Sequence, residues 1–106
     1  MADETTEIAT LEDLRAFVQR TICDQQRLLD GTVQVSEKIL LRQGKPCGMQ
    51  FTLNGPRAVQ FSAIWETNRH TILFYDCNGV RFHRCELATT ADLEQELAAL
   101  ARTTMP

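Results

Sequence analysis

The sequence predicts an α+β domain: an N-terminal helix, a five-stranded antiparallel meander and a C-terminal helix, with both helices on one face of the sheet. Three observations predict it. Apolar residues recur at helical spacing near each end of the chain, and they alternate at every second position through the middle. The connections between the alternating runs are short and rich in Gly, Pro and Asn. Two helices with single apolar stripes must bury those stripes, and one sheet face supplies the surface.

Residues 1–8 lack periodicity and read as a disordered tail ahead of a single domain spanning 9–103. Thr10 precedes Leu11-Glu12-Asp13 and resembles a capping box in which Asp stands for the usual Glu or Gln. Leu11, Leu14, Phe17 or Val18, Ile22 and Leu28 or Leu29 then follow the helical period. Asp30-Gly31 ends it with a residue suited to a left-handed cap, so a helix is expected over about 10–30.

The period then becomes alternating. Val33, Val35, Ile39 and Leu41 share one parity, interrupted by Glu37. A charge pointing inward is tolerated on an edge strand and discourages edge pairing, which puts this strand at the edge. Gln43-Gly44-Lys45-Pro46 reads as a turn, and Cys47, Met49, Phe51 and Leu53 as the core face of the next strand. After Asn54-Gly55-Pro56-Arg57, Val59, Phe61, Ala63 and Trp65 alternate with Ala58, Gln60, Ser62 and Ile64.

Thr71–Tyr75 is a short run of strand formers, followed by Asn78-Gly79, the strongest hairpin signal in the chain. A two-residue loop would mix polar and apolar residues on both faces. A three-residue loop, with Gly79 left-handed, pairs Asp76 with Val80 and puts Ile72, Phe74, Val80 and Phe82 on one side. It leaves Leu73, Tyr75, Arg81 and His83 on the other. The apolar parity then shifts to Cys85 and Leu87, which calls for a bulge near His83-Arg84. Thr89 or Thr90 caps a last helix striped by Leu93, Leu97 and Leu100 and fading near Arg102. The expected core face is Met49, Phe51, Phe61, Ala63, Trp65, Phe74 and Phe82.

Composition narrows the function. A chain of 106 residues holds one core. No apolar run approaches the roughly 20 residues of a membrane span. The start, Met-Ala-Asp-Glu-Thr-Thr-Glu, is acidic where a secretory signal is basic and then apolar, so a cytoplasmic location is expected. Cys23, Cys47, Cys77 and Cys85 form no CxxC pair and read as reduced thiols. Net charge is −3, with seven acids and three bases in residues 1–30 but four acids and seven bases in 31–88. Intramolecular complementarity accounts for that split, and the basic excess is smaller than a nucleic-acid binder usually carries.

The sequence contains no GxSxG elbow, no HExxH and no Gly-rich phosphate loop. The thiol candidates are Asp76-Cys77 near His70 and His83, and a metal set of Cys77, His83 and Cys85 completed by His70 or Cys47. A reactive thiol needs a base or a positive field beside it, and structural zinc sites draw on tightly spaced ligand pairs. Against both, Asp76-Cys77-Asn78-Gly79 is ordinary turn chemistry, and the expected register sets His83 across from Leu73, away from Cys77.

A different feature points further. The outward residues of the two central strands, Gln50, Thr52, Gln60, Ser62 and Ile64, carry no charge, and neighbouring strands add Leu73 and Tyr75. A solvated sheet face normally bears charged side chains. The expectation is a non-catalytic interaction or self-association domain that uses this face, most simply a homodimer, with no cofactor, no membrane and no nucleic acid. The alternative is a thiol- or metal-dependent enzyme or regulator around Cys77, His83 and Cys85.

Overall fold

The computed structural model describes residues 4–6, 8–27, 34–55, 59–88 and 91–104. Helix α1 (Leu11–Gln26) begins where the sequence places it: the Thr10 hydroxyl accepts the Asp13 amide at 3.0 Å. It ends earlier than expected, because Arg27 takes the left-handed conformation (φ 58°) and its N–H closes on the Cys23 carbonyl. The anticipated Asp30-Gly31 cap lies outside the described residues, as do Val33 and the caps Thr89 and Thr90.

The five antiparallel strands of the meander are β2 (Gln34–Arg42), β3 (Lys45–Asn54), β4 (Gln60–Glu66), β5 (Thr71–Tyr75) and β6 (Arg81–Leu87), before α2 (Ala91–Thr104). A further strand, β1 (Glu4–Thr6), lies parallel to β6, giving the order β1-β6-β5-β4-β3-β2. The segment expected as a tail over 1–8 thus contributes a strand, and Ile8 is buried in the core. Three residues are too few to show alternation, and their partner lies some 80 positions away (Glu4 against Cys85), so no local pattern marks the pairing.

Both helices cover one sheet face. Leu14, Val18 and Ile22 of α1 and Leu93 and Leu97 of α2 are buried with Met49, Phe51, Leu53, Phe61, Ala63, Trp65, Ile72 and Phe74 in one cluster. Strand β2 is at the edge, as Glu37 required. Its carboxylate faces the helix layer and pairs with Arg15 of α1.

Two irregularities shape the sheet. The β2–β3 register shifts between Leu40 and Leu41, leaving Cys47 as an extra residue, and Leu41 beyond it is exposed despite its core parity. Gln43 (φ 53°) and Gly44 (φ 78°) form the two-residue turn, a primed geometry that suits the twist of the strands. Gly48 beside the bulge admits no side chain, since a Cβ there would stand 2.0 Å from the Trp65 carbonyl oxygen.

The second shift lies between Phe74 and Tyr75 against β6. The hairpin has the expected three-residue loop: Gly79 is left-handed (φ 79°) and the Asp76 amide donates to the Val80 carbonyl at 2.9 Å. The bulge, however, falls at Phe82, before His83-Arg84. Phe82 and His83 both lie against the Phe74 ring, with centroids at 6.2 and 5.4 Å. His83 therefore pairs with Phe74 on the core side, Arg84 takes the outward place opposite Leu73, and Val80 is exposed.

Candidate protein-contact face

The sheet face turned away from the helices is built by the outward parity of β2 to β6. Adjacent strands align it in rows: Thr52, Ser62 and Tyr75 in one, and Gln50, Ile64 and Leu73 in the next. Gln60 sits at the margin, where its amide donates to the Asn54 side-chain oxygen at 2.8 Å. Of the seven residues expected on this face only Gln60 is exposed; Gln50, Thr52, Ser62, Ile64, Leu73 and Tyr75 are half-buried by one another.

The same registers bring in residues that the sequence reading passed over. Lys38 flanks Gln50 on β2, Arg81 flanks Tyr75 on β6, and Arg84 flanks Leu73. Glu66 closes one end between Gly48 and Thr71. Glu66 was legible, since it continues the series Gln60, Ser62, Ile64. Arg84 was not, because its orientation depends on where the bulge falls.

A depression of about 280 Å³ opens here, lined by Leu40, Ile64, Leu73, Tyr75 and Cys47, with Arg42, Glu66 and Asn68 at its polar margin. Cys47, expected on the core face, is turned to this side by the bulge and is half-buried.

Charge is sorted between the two surfaces. The outer sheet face has an uncharged centre with Lys38 and Arg42 along one side and Arg81 and Arg84 along the other; Glu86 pairs with Arg84 at 3.2 Å. The exposed helix surface bears Glu12, Asp13, Asp24, Asp92 and Glu94 against Arg20, Arg27 and Arg102. The segmental split of the sequence thus becomes two oppositely biased surfaces facing away from each other, bridged at the edge by Arg15 and Glu37.

The thiol candidates are dispersed. Cys77 is exposed at the hairpin tip, while Cys85 pairs with Ile72 and is buried. Between them lie several strand positions, on the order of 15 Å. The His83 Nε2 stands 3.3 Å from the Cys85 sulfur, so these two do meet, at the margin of the core. With Cys85 fully buried, this contact offers no path to a solute. His70 occupies the β4–β5 turn, at the opposite end of β5 from Cys77. Among the described residues no three His, Cys, Asp or Glu side chains converge as metal ligands.

No helix among the described residues is long and apolar enough to cross a membrane. No protein-family model, curated protein or solved structure matches the chain.

Proposed function

We propose that this chain is a non-catalytic protein-interaction domain whose outer sheet face docks a partner chain. The observation that carries the reading is the centre of that face: Ile64, Leu73 and Tyr75 adjoin across β4 and β5 with no charge among them and line a depression of about 280 Å³. Apolar groups ringed by polar ones are the usual anatomy of a contact surface. A homodimer through this face is disfavoured by the flanks. Lys38 and Arg42 line one side and Arg81 and the Glu86-paired Arg84 the other, so two copies face to face would bring Lys38 and Arg42 towards bases of the other copy.

Hydroxyl-radical labelling of the chain in its native cells, compared with the purified chain, tests the reading. Tyr75 and Leu73 are expected to label less in cells than in isolation, while Val80, 59% exposed at the hairpin tip, labels equally. Ser62→Lys, which puts a charge in the centre of the face, is expected to erase the difference without loss of fold. Equal labelling of Tyr75 in both settings would overturn the proposal. Sedimentation of the purified chain separates self-association from a foreign partner.

A further inference from the structure

We infer that the occupant of the outer sheet face is an amphipathic helix with acidic flanks, contributed by a partner protein; the inference rests on reading that face as a protein-contact surface. Three features fix this chemistry. The uncharged centre runs along β4 and β5, with Ile64 and Leu73 opposite each other. Bases stand on both sides of it, Lys38 on β2 and Arg81 on β6, beside the Arg84–Glu86 pair. From β2 to β6 is four strand spacings, roughly 19 Å.

A helix is about 10–12 Å across with its side chains. Laid along β4 and β5, it covers the apolar centre and leaves both basic sides uncovered, within reach of acids on its own flanks. The result is a third layer on the sheet, matching the one that α1 and α2 already form on the other face.

Competing occupants fit less well. A second copy of the chain presents acids on its helices, but their apolar stripes are consumed in its own core by Leu14, Val18, Leu93 and Leu97. A single-stranded nucleic acid needs several stacking rings, and among the described residues Tyr75 is the one aromatic residue on the face.

The test uses fluorescein-labelled synthetic peptides of about 18 residues, roughly five turns, with one Leu stripe flanked by Glu. Matched peptides carry Gln or Lys in place of Glu, and a labelled oligothymidine of similar length is the nucleic-acid probe. Fluorescence anisotropy is expected to show the Glu peptide binding at least tenfold or so more tightly than the Gln peptide at low salt. That advantage is expected to shrink as ionic strength rises. The double variant Lys38→Glu, Arg81→Glu is expected to abolish the preference for Glu, while Arg20→Glu on the exposed side of α1 leaves it unchanged. Circular dichroism verifies that each variant is folded.

Equal binding of the Glu and Gln peptides, with both lost in Ile64→Asp, would overturn the acidic partner and leave the contact face standing. Tighter binding of oligothymidine than of the Glu peptide would overturn the protein partner itself. Absence of binding by every peptide at millimolar concentration would overturn the docked helix, and the labelling of Tyr75 in cells then decides the contact face separately.

Discussion

Trp65 is the largest side chain wholly withdrawn from solvent, and its indole N–H has no hydrogen-bond partner among the described residues. An unpaired buried donor forfeits its hydration, a cost of about 1–3 kcal/mol. The ring nevertheless stays, because it fills the middle of the core between Met49 on β3 and Ile72 on β5. These two effects oppose each other and two substitutions separate them. Trp65→Ala loses the packing and leaves a cavity, and is expected to destabilise by about 3–5 kcal/mol. Trp65→Phe keeps most of the ring and removes the orphan donor, and is expected to fall within about 1 kcal/mol of the parent. Urea denaturation followed by far-ultraviolet circular dichroism measures both, since the only tryptophan is removed in each. A cost above about 3 kcal/mol for Trp65→Phe would mean that the N–H is satisfied in solution, for instance by a buried water.

The hairpin from β5 to β6 shows how one side chain can hold an element. The Asp76 carboxylate accepts the Asn78 and Val80 amides at 2.9 and 3.0 Å, and its backbone carbonyl accepts the Gly79 amide at 3.0 Å. Asp76→Ala removes two charge-assisted bonds in an exposed loop where water replaces part of them, so a loss of about 1–2 kcal/mol is expected. Asp76→Asn, which retains an acceptor oxygen, is expected to lose less, and urea midpoints compare the two. If both variants matched the parent, the carboxylate would not be holding the turn. This loop was legible in the sequence because Asn78-Gly79 demands a left-handed residue and only one register sorted the flanking side chains. The bulge was misplaced for a related reason. Polarity alone counted His83 as outward, but its ring packs on Phe74 as an aromatic, and Phe82 yields the place beside it. Cys47 was assigned to the core by the same parity rule, which a bulge cancels.

At the scale of the whole molecule the sheet has two edges, and they are protected differently. β1 covers the β6 edge by parallel pairing, and the sequence hid this because pairing between residues so far apart leaves no local mark. The nine-residue strand β2 remains open at the other edge, and the parity break at Glu37 announced it. An open edge offers unpaired backbone groups to any other strand. Three features oppose that here: the bulge at Cys47 of β3, which bends the pairing at Leu40–Leu41, Lys38 on the outer face, and Glu37 on the inner face. Glu37 pairs with Arg15, but both side chains are partly exposed, so the pair contributes little to stability, on the order of 0–1 kcal/mol. Its larger effect is on what the edge excludes, because a second β2 strand pairing here would bring a second inward carboxylate and desolvate both. Glu37→Val turns β2 into a continuous run of strand-forming residues from Val35 to Leu41 broken only by Ser36 and Lys38. The expected outcome is a monomer whose urea midpoint barely moves but which associates as concentration rises, through β2 and not through the outer face. Adding Lys38→Pro, which removes a backbone donor from the same strand, is expected to restore the monomer. Sedimentation velocity over a range of concentrations reads both effects, and a Glu37→Val chain that stays monomeric throughout would show that Lys38 and the bulge protect the edge without Glu37.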